Sequence, residues 1–311
     1  MGLEINLLSF IPLSMKSNNL FSSEASLKYF LTQALASRTL LFSIILFSFT
    51  IEWNSYLNLN IINLIFASSL IIKRGVAPFH FWFPNVIEGL NWINNFILIT
   101  WQKIAPIILL SFCLNTTFFS LTIIFSIFIG AIGGLNQTSL RKLIAFSSIN
   151  HLGWILRNMI NNENIWKIYF IFYFFLTISI IFILNNFKIF NLNQIFTLTI
   201  KNKIQKLIIS IPLLSLGGLP PFLGFFPKWI TIENIIFENF FWLVFLIVNF
   251  TLITLYFYIR ISYSSFLINY NNNNWNFYWN FLNFKNSNLI NFFIFSSTFG
   301  LLFINLLFWL I

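Results

Sequence analysis

Five ionisable side chains lie where an apolar sequence offers them no water: Glu4, Lys103, Lys142, His151 and Lys228. A charged group in a lipid-buried helix is expensive, so it normally faces a partner or a wet cavity and marks an ion path. Lys103, in Trp-Gln-Lys-Ile-Ala-Pro, is the cleanest instance, flanked by apolar residues on both sides. Burial disfavours the charged form of a lysine and a nearby carboxylate favours it, so the balance of the two can load or empty it with a proton. Glu4, the acid in the first apolar run, is the expected partner of Lys103. Lys142 is the second carrier candidate. Arg141, about 100° around the helix from it, is expected to snorkel or to touch a lipid headgroup. His151 faces a different side from Lys142 and is a possible relay. Lys228 follows Gly217-Gly218-Leu219-Pro220-Pro221, Gly224 and Pro227. Glycine tolerates unusual backbone angles and proline lacks a donor, so this stretch predicts a broken helix beside a held charge.

Each of these residues also has a plainer reading. Lys103 would serve as a member of a structural ion pair, Lys228 as a loop lysine at the interface, and His151 as a hydrogen-bonded core histidine. His80, in an aromatic segment, is a weaker candidate still. What favours proton chemistry is the set together: cations at separate helices of one apolar chain.

The elements that carry them must be membrane helices. The chain has 311 residues, 58% hydrophobic and 8% charged, with mean hydropathy +0.84. A soluble domain has about 25% charged residues, so this chain cannot cover a water-facing surface. The net charge of +10 is spread among apolar runs and does not point to nucleic acid. The single Cys113 excludes a disulfide framework, the sequence has no Asp, and His80 and His151 alone do not make a metal centre. No phosphate-binding glycine motif occurs.

A span needs roughly 20 apolar residues. Met1 to Leu13 reads as part of one. Glu24 to Phe49 follows, with Ser22 or Ser23 as N-cap and Lys28 reaching the interface, then Tyr56 to Ile72. Gly75 to Pro84, with two prolines and four aromatics besides His80, reads as a re-entrant or interfacial segment. Spans are then expected over Trp92–Phe112, Thr117–Ile132, Leu140–Met159 and Ile165–Leu184. A basic loop at Lys201, Lys203 and Lys206 precedes the broken helix from Leu207. Phe240–Phe266, a polar loop over 269–288 and a last span, Leu289–Ile311, complete the chain. The expectation is an all-α polytopic bundle of about ten spans, antiporter-like with a broken helix, forming a single membrane domain over 1–311.

These stretches also carry a resemblance. Met1-Gly2-Leu3-Glu4-Ile5-Asn6, Glu24 to Gln33, Ala77-Pro78-Phe79-His80-Phe81-Trp82, Trp101 to Pro106, Gly133 to Trp154 and Ser215 to Trp229 resemble mitochondrial NADH–ubiquinone oxidoreductase subunit 2 over nearly the whole chain. That family is one of the antiporter-like, proton-pumping subunits of respiratory complex I. The resemblance implies an inner-membrane location and partners among the other complex I membrane subunits, the lipid bilayer and protons. It implies no redox cofactor in this chain, since NADH, flavin, iron–sulfur clusters and ubiquinone belong to other subunits. By the same resemblance Glu4 and Lys103 are the first pair, Lys142 is the lysine of the central hydrophilic axis, and Lys228 is the ionisable residue on the broken helix. The alternatives are a stand-alone cation/proton antiporter and a purely structural membrane subunit.

The sequence departs from the family in three ways. The family has a further helix before Gly2-Leu3-Glu4. Methionine is scarce, at 3 residues, while isoleucine is abundant. Arg38, Arg74 and Arg157 stand where the family has small or polar residues, often Ser or Thr. One explanation covers all three: a reading frame translated with an unsuitable genetic code, ATA read as Ile and AGA as Arg, from an AT-rich organellar genome. A divergent or truncated family member is the alternative.

Overall fold

The computed structural model describes residues 2–15, 19–52, 59–161, 163–198, 203–267, 292 and 294–301. In chain order the helices are α1 (Gly2–Ser14), α2 (Leu20–Glu52), α3 (Leu59–Arg74), α4 (Trp82–Gly89), α5 (Trp92–Ile99), α6 (Trp101–Ser111), α7 (Thr116–Leu135), α8 (Leu140–Asn161), α9 (Glu163–Phe187), α10 (Leu192–Leu198), α11 (Lys203–Gly217), α12 (Phe225–Phe237) and α13 (Phe241–Leu267). Among the described residues the remaining regular feature is one antiparallel bridge, Ser139 to Asn191. The fold class is the all-α bundle that the sequence predicts.

Among the described residues five stretches are long and apolar enough to cross a membrane: Leu20–Thr50, Trp92–Ser111, Thr116–Leu135, Asn164–Phe187 and Phe241–Tyr263. Two more, Gly2–Ser14 and Leu207–Gly217, are apolar but shorter. This is fewer than the ten expected. α8 has the length but carries too many polar groups to count by composition. The polar loop 269–288, most of the expected last span and Lys201 lie outside the described residues.

α8 is the axis of the bundle. From Leu143 to Met159 every residue but Phe146 is buried, and α7, α9, α4 and α12 pack around it. Apolar helices in lipid gain little from hydrophobic burial against each other, so close van der Waals approach has to hold them. Small residues provide it. A Cβ at Gly130 would lie 2.8 Å from the backbone N of Asn150, and one at Gly153 would overlap Ser126 Oγ. α7 and α8 therefore meet backbone to backbone, and the polar side chains of α8 are enclosed.

Helix ends differ from expectation in two places. α2 begins at Leu20, so Ser22 and Ser23 sit inside its first turn and bond back to Asn19 O and Leu20 O instead of capping it. Lys28 ion-pairs with Glu24 at 2.6 Å, one turn earlier. α3 stops at Arg74 because Gly75 adopts φ +67 and Val76 N–H bonds to Ile71 O, a left-handed cap that glycine permits. The chain then turns through the cis bond Ala77–Pro78 and enters α4. The aromatic segment is thus a turn followed by a short helix.

Candidate functional site

Two helix interruptions each place a buried lysine just beyond them. The first lies inside Trp92–Phe112, which the sequence predicts as one span. Thr100 has φ −115 and ψ −69, and its Oγ1 donates to Phe96 O at 2.7 Å. Back-bonding of this kind to the i−4 carbonyl bends helices. α5 ends there, α6 begins, and Lys103 stands on the first turn of α6. The second interruption is the Gly/Pro stretch between α11 and α12, as expected, and Lys228 stands on the first turn of α12.

Lys103 is 2% exposed. Its Nζ donates to Ser148 Oγ of α8 at 3.3 Å and sits 4.5 Å from the ring centre of Phe83 on α4. A hydroxyl and an aromatic face hold an ammonium without neutralising it. Lys228 is 7% exposed, and its Nζ donates to Gly217 O at 2.7 Å and to Leu216 O at 3.4 Å. Those carbonyls are free to accept because the break has ended α11, which leaves its last carbonyls without intrahelical partners. Gly218, at φ +81, lies so close that a Cβ there would be 2.9 Å from Nζ.

His151 joins the two. It is buried on α8 and within electrostatic reach of both Lys228 and Lys103. Its Nδ1 shares a 2.9 Å hydrogen bond with the Tyr169 hydroxyl, and its ring centre lies 5.1 Å from that of Tyr173. Tyr173 faces Ser148, and Tyr258 faces Ser147. Both tyrosine hydroxyls are buried, and neither makes a hydrogen bond of good geometry to the serine it faces. Buried polar atoms of this kind are normally satisfied by water. Lys103, Ser148, Tyr173, His151 and Lys228 thus form a polar band through an apolar bundle.

Glu4 and Lys142 are placed differently from expectation. Glu4 is exposed on α1, and the cation in its electrostatic reach is Lys73 at the end of α3. The charged neighbour of Lys103 is Arg74. Among the described residues Glu4 makes no direct ion pair with Lys103; its electrostatic influence falls on Lys73 instead. Lys142 is half-buried near the start of α8 and pairs with Glu88 Oε2 at 2.6 Å, away from the central band. Arg141 does not snorkel to lipid: its Nη1 donates to Leu90 O at 3.0 Å and its guanidinium lies over Phe190.

The three unexpected arginines fall into different surroundings. Arg74 is 1% exposed, and Nε, Nη1 and Nη2 all lack a hydrogen-bond partner among the described residues. A buried guanidinium beside a buried lysine, with no acid bonded to it, is electrostatically unfavourable. Arg157 is bonded to Glu238 Oε2 at 2.7 Å. Arg38 is exposed in the middle of α2.

Sequence reasoning missed Lys73, Glu88, Ser148, Tyr169 and the break at Thr100. Lys73 and Glu88 were visible as charges bordering the aromatic segment. The hydroxyl groups carried no signal until α8 and α9 were packed together.

An all-helical bundle interrupted beside buried lysines defines an antiporter-like membrane protein. The family model described as "NADH:quinone oxidoreductase/Mrp antiporter, TM" matches residues 1–254, and that described as "NADH dehydrogenase subunit 2 C-terminus" matches residues 255–308. NADH-ubiquinone oxidoreductase chain 2 of Anopheles gambiae is 54% identical over 99% of this chain and 90% of its own length. That of Aedes aegypti is 55% identical over the same shares. A chain of respiratory complex I from Thermus thermophilus superposes with a TM-score of 0.76 at 24% identity, over 86% of this chain. The match spans 64% of that chain's length. The chain belongs to the NADH dehydrogenase subunit 2 family.

Proposed function

We propose that this chain moves protons as a membrane subunit of NADH:ubiquinone oxidoreductase in the mitochondrial inner membrane. The observation that carries the reading is the band Lys103–His151–Lys228, in which a buried histidine lies within electrostatic reach of a buried lysine on either side. A scaffold has no use for three such groups in an apolar bundle, where each is costly to bury. The two relatives at 54% and 55% identity bear the name of that enzyme's chain 2.

The mechanism is electrostatic. A change of charge near Glu4 and Lys73 alters the proton affinity of Lys103, then of His151 and Lys228, each acting on the next electrostatically through low-dielectric protein. Moving one charge across 100 mV requires ~2.3 kcal/mol, and a swing of about two units in proton affinity supplies ~2.7 kcal/mol. Ser148 and the Tyr173 hydroxyl line the gap between Lys103 and His151, and bound water completes it. Electron transfer from NADH through flavin and iron–sulfur clusters to ubiquinone is the work of other subunits, and this chain holds no redox centre.

The test is purification of the tagged chain from its native membrane. Co-purification with other respiratory-chain subunits and NADH–quinone oxidoreduction in the isolate are expected. A lone chain that exchanges cations for protons in liposomes would favour the stand-alone antiporter instead.

A further inference from the structure

Outside the central band, a cavity of about 640 Å³ opens at the junction of α2, α4 and α8, with Asn91 just before α5 on its wall. Its wall is polar: Asn85, Glu88, Asn91 and Arg141, with the Glu24–Lys28 pair on the α2 side. Lys142 joins it through its 2.6 Å contact to Glu88. Two elements run from this wall to Lys103. On α4, Glu88 is five residues from Phe83, whose ring lies against the Lys103 ammonium, an axial rise of about 7.5 Å. On α8, Lys142 is six residues from Ser148, the hydrogen-bond acceptor of Lys103, a rise of about 9 Å.

Behind the wall lies Asn95 on α5, tied to it through the Leu90 carbonyl that Arg141 also reaches. It is 1% exposed, its Nδ2 points to Leu90 O at 3.5 Å, and the same carbonyl accepts Arg141 Nη1. Asn95 Oδ1 and Arg141 Nε are buried without a hydrogen-bond partner among the described residues. Buried polar atoms left in this way are sites for water. α4 and α5 contribute no ionisable group other than Glu88. The charges facing Glu88 are therefore Arg141 and Lys142 from α8, and Glu24 and Lys28 from α2, which neutralise each other.

We propose that the Glu88–Lys142 ion pair is the proton-intake gate of this chain, passing protons from the cavity by way of Asn95 to Lys103. A proton from cavity water adds to the Glu88 carboxylate and releases Lys142. It then passes through water beside Asn95 to the neutral Lys103 amine, and the Glu88 carboxylate closes again on Lys142. Glu88 is the proton carrier of the gate, and Asn95 and Lys142 position it. The assignment rests on the reading of Lys103 as a proton carrier.

The test compares Glu88→Gln, Glu88→Asp and Lys103→Met in the assembled complex in liposomes. Coupled NADH oxidation and proton translocation are read as pH is varied on each side in turn. Glu88→Gln should lower coupled turnover at least about tenfold, since a positioned proton-transfer group contributes roughly 10²–10⁴-fold. The fall should steepen as pH rises on the cavity side alone, and Glu88→Asp should restore most of the rate. Wild-type turnover and pH profile in Glu88→Gln, with pumping stopped in Lys103→Met, would overturn the gate and leave the carrier intact. Normal pumping in Lys103→Met would overturn the carrier itself. If Glu88→Gln does not assemble, Glu88→Asp decides: an altered cavity-side pH profile supports the gate and an unaltered one overturns it.

Discussion

Replacing Gly218 by alanine should damage proton transfer while leaving the bundle assembled. The new Cβ would stand 2.9 Å from both Cδ and Nζ of Lys228 and 3.1 Å from Cε. Real Cβ atoms do not sit so close, and the lysine is the part that can move. Two effects follow. The backbone stays at φ +81, which for a residue with a Cβ is disfavoured by roughly 1–2 kcal/mol. The ammonium is pushed off Gly217 O, and a hydrogen bond to a charged group is worth roughly 1.5–3 kcal/mol. The first effect is too small to unfold the helix pair. The second falls on the step through Lys228, where each 1.36 kcal/mol is a factor of about ten in rate. Coupled turnover should therefore drop roughly 10- to 100-fold. Native gels report assembly, and NADH oxidation with proton uptake in liposomes reports the step. Gly217→Ala is the control, since its Cβ would meet Tyr258 at an ordinary 3.4 Å and turnover should stay near wild type. A fully assembled Gly218→Ala complex with unchanged coupled turnover would refute the reasoning.

Other substitutions separate packing from chemistry. Gly224→Ala should prevent assembly, visible as loss of the intact complex on native gels, because the added Cβ would overlap Ser215 O at the helix break. Ser148→Ala removes the hydroxyl that accepts from Lys103 and should slow coupled turnover by about tenfold at normal complex yield, from ~1.5 kcal/mol at the lower end for a charged hydrogen bond. At position 74, mass spectrometry of the chain isolated from its organelle should find serine, and a peptide with arginine there would contradict the misread-codon account of that unpaired guanidinium.

The sequence made Lys103, His151 and Lys228 visible because charge in an apolar run stands out against its background. The break before Lys228 was equally visible, since Gly217, Gly218, Pro220 and Pro221 cannot continue a helix. The break before Lys103 was hidden, because it is made by a threonine hydroxyl competing for a backbone carbonyl within an unbroken apolar run. Which cation meets which acid was also hidden. Glu4 acts electrostatically on Lys73 and Lys142 bonds Glu88, and both depend on how α1, α3, α4 and α8 pack. Sequence spacing along one helix cannot report that. The tyrosines of α9 carried no mark of function until Tyr169 met His151.

The most direct measurement is the number of protons translocated per NADH oxidised by the assembled complex carrying Lys103→Met. Methionine keeps the length of the side chain beside Phe83 and Ser148 and removes the titrating amine. The account predicts normal assembly with proton translocation and coupled turnover both sharply reduced. Unchanged proton translocation at full assembly would contradict it and return Lys103 to a structural role.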